Sequence, residues 1–204
     1  MSARLTVLVL LAALAVPAQD LIYFEREFPG SVPGQFQVEV KRDGTALYSE
    51  DGEAPVELEL GEATVEGIFE SAEVLNFFSK PLASQRNVAS TGRKVLRYES
   101  AGKVRGEAVF DYSEAPEARE VASWFVKLAE TQRHLLELER AYRFDRLGVN
   151  QALVHLEMAY QRNRIVAPQL LEPILDRIAK QPRIVHLARA RAEGMLEKIR
   201  TRER

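Results

Sequence analysis

Four glutamates, Glu62, Glu66, Glu70 and Glu73, recur at steps of four, four and three, with no Lys or Arg between the first and the last. On a helix this spacing lines their carboxylates along one side. Like charges so placed destabilise a helix by about 0.2–0.5 kcal/mol per pair, so the row marks an electrostatic face rather than a stabilising pattern. It has three readings: a solvated acidic face beside a core stripe, a dock for cations of the same chain, or an interaction face for an external basic partner or cation. The in-chain candidates for a dock are Arg93, Lys94, Arg97 and Arg105, or arginines of the C-terminal half. These four glutamates are the only residues assigned to a candidate site. No residue is assigned to catalysis, to a cofactor or to a metal.

A second acidic stretch, KRDGTALYSEDGEA (41–54), holds Asp43-Gly44 and Asp51-Gly52 with Glu50 and Glu53 beside the second pair. A calcium loop needs acids at alternate positions on one continuous loop with a closing Glu. Here TALY, a strand-forming run, interrupts them. Asp43-Gly44 therefore reads as a two-residue hairpin turn, in which both positions accept positive φ, and Asp51-Gly52 as a second turn.

The remaining chemistries lack their residues. His134, His155 and His186 fall in three different expected helices, without an acid spaced as in His-Glu-x-x-His. Cysteine is absent, which removes thiol nucleophiles and Cys-based zinc sites. There is no Gly-x-Ser-x-Gly elbow, and Ser90 in ASTG (89–92) carries no mark of activation. No glycine-rich phosphate loop occurs. Paired carboxylates for glycoside hydrolysis carry no information among 30 acidic residues, and Trp124 is the single tryptophan available as a sugar platform.

The elements that must position these groups change character along the chain. Residues 21–28 are aromatic and partly alternating, which suits a strand, and 35–42 alternate strictly, with Phe36, Val38 and Val40 on one side. TALYSE and PVELEL continue the pattern. The period then becomes helical over about 62–77, with Val65, Ile68, Phe69, Ala72 and Leu75 as its apolar stripe. A second hairpin turns at Ala101-Gly102 between RKVLRYES and KVRGEAVFDY. From Pro116 onward the pattern is helical throughout. A first helix of about 30 residues is expected to end at Gly148, and Asn150 to cap the next, about 151–163. Pro168 opens a third helix that starts late or bends at Pro173, and Pro182 opens the last. The final RTRER (200–204) is expected to fray.

The fold class is thus α+β: an antiparallel β-meander with one packed helix, followed by a C-terminal four-helix segment. The expected division is 1–18 as a signal peptide, 19–115 as the sheet-plus-helix domain and 116–204 as the helical segment. The signal peptide is read from Arg4, the apolar run Leu5 to Val16 and small residues before a cleavage after Ala18. The run is shorter than the ~20 residues a spanning helix needs, and no later stretch suffices, so no membrane span is expected after cleavage. The first part, 19–116, carries 18 acidic and 10 basic residues; the second, 117–204, carries 12 and 17. Each part favours the other or a partner of opposite sign. Acids interrupt the arginine clusters of the second part, and with export this argues against nucleic acid as a partner.

The stretch FPGSVPGQFQVEVKRDGTALYSE, followed by IFESAEVLNFF and GRKVLRYES, resembles an uncharacterised bacterial exported-domain family over roughly residues 21–112. The resemblance implies a strand, a Gly/Pro loop, an Asp-Gly hairpin and a following helix. It implies no known activity, so no catalytic residue is carried over. The expectation is a non-catalytic, exported protein-binding module, periplasmic or secreted, with a protein partner and no cofactor. The alternative is an unrecognised hydrolase with its site between sheet and helices, or an enzyme inhibitor.

Overall fold

The computed structural model describes residues 19–86 and 88–202. The signal peptide read at 1–18 and the last two residues lie outside the described residues. Strands β1 (Leu21–Glu27), β2 (Gln35–Lys41), β3 (Thr45–Glu50), β4 (Val56–Glu59), β5 (Arg93–Ser100) and β6 (Lys103–Phe110) form one antiparallel sheet. Its order is β4-β3-β2-β1-β5-β6. The meander runs outward from β1 to β4. Helix α1 (Glu62–Val74) then carries the chain back across the sheet, so that β5 pairs with the free side of β1.

Alternation decides which face is covered. Ile22, Phe24, Phe36, Val38, Val40, Tyr48, Leu96 and Phe110 share one buried core with Val65, Ile68, Phe69 and Ala72 of α1. Helix α2 (Pro116–Phe144) lays Val121, Ala122, Phe125 and Leu128 on the same core. The Phe125 ring stacks on Phe24 at 4.7 Å, and Phe24 meets Phe36 at 5.7 Å. Truncating such an aromatic costs about 3–5 kcal/mol, which makes this trio the pin between helix and sheet.

At 29 residues, roughly 43 Å, α2 outruns the sheet. Its second half, with Leu138 and Ala141, enters a second core made by α3 (Val149–Gln161), α4 (Glu172–Lys180) and α5 (His186–Arg202). The helix is therefore common to both cores. Where they meet, buried Thr131 accepts the Val166 N–H at 3.2 Å, and its hydroxyl lies 2.9 Å from Val166 O and 3.0 Å from Lys127 O. This clasp fixes the loop between α3 and α4 against α2.

Several boundaries differ from expectation, each for a local reason. The first hairpin is not a two-residue turn. Val40 pairs with Ala46, Gly44 N–H donates to Lys41 O, and only Gly44 has positive φ (92°), so a three-residue loop closes it. The Asp43 carboxylate accepts Thr45 N–H at 2.9 Å. Both turn positions have positive φ at the second pair instead, Asp51 (47°) and Gly52 (79°). Helix α1 stops at Val74, because Asn76, Phe77 and Phe78 turn left-handed (φ 51°, 50° and 60°). That reversal sends Phe78 into the core and stacks Phe77 on Tyr98 at 4.4 Å. Gly148 is the N-cap of α3 rather than the cap of α2, since Asp145 caps α2 and its carboxylate accepts Gly148 N–H at 2.9 Å. Asn150 consequently lies inside α3. A short 3-10 turn, Pro168–Leu171, precedes α4, which starts late enough to place Pro173 in its first turn. Pro182 lies in the turn before α5, not at its start, and α5 runs through Arg202 where fraying was expected.

Candidate functional site

The inward face of the sheet ends in two cations. On β1 the series Ile22, Phe24 is followed by Arg26; on β5 Leu96 is preceded by Lys94. Arg26 and Lys94 are direct partners across the strands. Like charges directly opposite one another destabilise a sheet, so something must offset the pair.

Lys94 is offset from within. It is buried, and its ammonium donates to Asp111 O at 2.7 Å, Gly92 O at 2.8 Å, Thr91 Oγ1 at 2.8 Å and, more weakly, Thr91 O at 3.2 Å. Burial pulls its pKa below the ordinary lysine range; the Asp111 carboxylate 4.0 Å away opposes this, and Arg26 adds to it. The backbone carbonyls accept more strongly from the ammonium, with its three donors, than from the neutral amine, and so favour the protonated form. The cage ties the 90–92 loop to the end of β6. Asp111 completes the tie by accepting Thr91 N–H at 2.6 Å, and hydrogen bonding from Ser90 and Thr91 holds its carboxyl below the usual range.

Arg26 is served less well. Its Nε lies 3.4 Å from Thr91 O, and its guanidinium lies over the Phe28 ring at 5.1 Å. Beyond it opens a groove of about 410 Å³ between the end of the β5–β6 hairpin and α2. Its floor is apolar: Phe110, Ala122 and Val126. Around the floor stand Arg26, Lys94, Arg119, Lys127 and Arg164 against two carboxylates, Asp111 and Glu130. Glu130 already accepts Arg164 Nε at 2.8 Å, and Arg119 donates to the carbonyls of Ser113 and Glu114. The Lys127 ammonium has no partner among the described residues. Arg164 reaches the groove because the Thr131 clasp holds its loop on α2.

The arrangement suits binding better than covalent chemistry. Thr91 and Lys94 resemble a hydroxyl–amine pair, but a base must accept the hydroxyl proton. Here the amine faces backbone acceptors, and the Thr91 hydroxyl is within 2.9 Å of Asp111 O and 3.1 Å of its carboxylate. Oriented in this way, Thr91 Oγ1 accepts from Lys94 and is not activated by it.

The glutamate row lies elsewhere. Glu62, Glu66, Glu70 and Glu73 are all exposed on α1 and carry no ion pair among the described residues. Three of the four hairpin cations considered for a dock turn to other partners: Arg93 to Glu25 at 3.3 Å, Arg97 to Glu107 at 2.6 Å, and Lys94 to its cage. Arg105 makes no ion pair with the row or with any other described residue. Glu62 lines a cavity of about 590 Å³ with Trp124, Tyr160 and the 165–169 loop. His134 and His155 approach one carboxylate, Glu137, at 3.7 and 3.3 Å, whereas His186 starts a different helix. No group of three or more His, Asp or Glu among the described residues is placed to hold a metal ion.

The groove escaped the sequence reading because its cations come from four separate stretches. One signal was present: alternation puts Lys94 and Arg26 on the same faces as Leu96 and Phe24. No protein-family model matches the chain, and no curated protein matches it.

Proposed function

We propose that the protein is an exported, non-catalytic binding module, periplasmic or secreted, and that its groove takes an acidic segment of a partner protein. The observation carrying this reading is the groove's charge imbalance: five cations stand against two carboxylates around an apolar floor. Once Lys94 is held by its cage and Arg164 by Glu130, Lys127 is left without a partner among the described residues, and Arg26 and Arg119 are only partly engaged. Folding alone gives no reason to place Arg26 opposite Lys94. A carboxylate entering above Val126 would meet Lys127 and the guanidinium edges of Arg119 that the carbonyls leave free. An apolar neighbour of that carboxylate would cover Phe110, Ala122 and Val126, an apolar centre inside a charged rim. Export rests on the reading of residues 1–18.

Selection from a random peptide library tests this. Enriched sequences should place Asp or Glu beside an apolar residue, and the double variant Lys127→Glu/Arg164→Glu should lose them. No enrichment, or the same enrichment with the double variant, would count against the groove.

A further inference from the structure

The opposite end of α2 carries a feature that the groove does not use. The α2–α3 turn and the α4–α5 turn lie side by side there: Gln181 Nε2 donates to the Tyr142 hydroxyl at 3.3 Å, and Arg177 donates to Glu139 at 3.0 Å. From this end project Phe144 and Leu147, each 82% exposed, with Leu187 at 60% and Val185 at 46%. Single exposed apolar side chains are ordinary, but four gathered on two adjoining turns and the helix ends beside them form a patch.

Arginines surround them. Arg140, Arg146 and Arg183 are exposed and have no ion-pair partner among the described residues. The acids at this end are engaged internally. Glu139 accepts from both Arg143 and Arg177, and Asp145 accepts the Gly148 N–H. Among the described residues, three guanidinium groups without ion-pair partners therefore flank the protruding apolar side chains, against one exposed carboxylate, Asp145, that accepts only a backbone N–H.

We infer that this tip is a docking surface for a bilayer carrying anionic lipid headgroups. The shape favours a membrane over a folded partner: the apolar side chains stand out from turns, so a protein would need a matching pocket, whereas the headgroup region yields to them. Guanidinium groups pair with lipid phosphates bidentately, and their stems lie along apolar surface. The docking is peripheral, since no helix among the described residues is long and apolar enough to cross a membrane. The groove begins some 14 residues back along α2, roughly 21 Å, and stays open when the tip is seated.

The chain has no cysteine, so one placed by Leu147→Cys can carry an environment-sensitive NBD fluorophore at a single site. Glu66→Cys, exposed on α1, is the control. Because the fluorophore reports only its own surroundings, the apolar run at 5–16 does not imitate the signal. With mixed phosphatidylglycerol and phosphatidylcholine vesicles, the label at 147 should brighten and shift to the blue, while the label at 66 should not. Vesicles of phosphatidylcholine alone, or high salt, should weaken the change. Arg140→Glu with Arg146→Glu should lower apparent vesicle affinity by at least about fivefold for each arginine lost. No change at 147, or an equal change at 66, overturns the proposal. So does brightening that grows with protein concentration in the absence of vesicles, which would assign the tip to a second copy of the chain.

Discussion

Replacing Lys94 by Met isolates the ammonium cage. Met keeps an apolar stem of similar length near Phe110 but removes every donor. Four contacts go with it: Gly92 O, Asp111 O, Thr91 Oγ1 and the weaker one to Thr91 O. A hydrogen bond to a charged group contributes about 1.5–3 kcal/mol, yet the four losses do not simply add. Thr91 is exposed and Asp111 half-exposed, so water replaces the donor at their oxygens. Met also relieves the cost of burying a charge. What remains is mainly the buried carbonyl of Gly92 and the loosened loop, about 2 kcal/mol. For a chain of this size, that lowers the Tm by roughly 4–8 °C. Thermal unfolding followed by circular dichroism measures the shift, and faster hydrogen exchange at the Thr91 amide locates it. An unchanged or higher Tm would refute the reasoning, because the charge would then be a burden rather than the clasp of the 90–92 loop.

Three further outcomes follow from other parts of the molecule. At Gly106 an added Cβ would fall 2.1 Å from Phe77 O and 2.9 Å from Ser79 N, both backbone atoms, so Gly106→Ala should cost about 3 kcal/mol or more by denaturant titration. His134 is buried, its Nδ1 has no hydrogen-bond partner, and burial followed by Arg133 holds its pKa below the usual value of 6.5, against Glu137 and Glu130, with His155 adding to the depression. The unfolded chain then takes up the proton first, so stability should fall as pH drops from about 6.5 toward the depressed value; His134→Leu should flatten that slope in urea titrations across the range. Reversing Glu66 and Glu70 to Lys should raise the low-salt Tm slightly by breaking the like-charge row, with the gain vanishing in high salt; a clear fall would mean that the row is paired.

Much of the sheet was legible because alternation is a local signal. Phe36, Val38 and Val40 had to share a face, and they meet Ile22, Phe24 and Tyr48 on it. Turn geometry was less legible, since it depends on register across two strands. Asp43-Gly44 and Asp51-Gly52 look alike in sequence, but pairing of Val40 with Ala46 adds a third residue to the first loop. The end of α1 was hidden for a similar reason. Leu75, Phe77 and Phe78 fit a continuing apolar run, and only the demand of both phenylalanines for cover reverses the backbone at Asn76. The glutamate row was fully visible, being one helix face. The groove was not, because Arg26, Lys94, Lys127 and Arg164 meet only after β1, β5, α2 and the clasped 163–167 loop are assembled. The alternation that placed the phenylalanines also pointed Lys94 inward, whereas the sequence offered it as a dock for the glutamates of α1.

The proposed occupant of the groove is tested most directly by placing a photo-crosslinking amino acid at Ser123, exposed at its edge, in intact cells. The same residue at Val109, on the uncovered sheet face, serves as control. A discrete protein adduct should form from position 123 and not from 109, disappear with Lys127→Glu, and map to an acidic segment of the captured protein. No adduct from 123, or one that survives Lys127→Glu unchanged, would contradict the proposal.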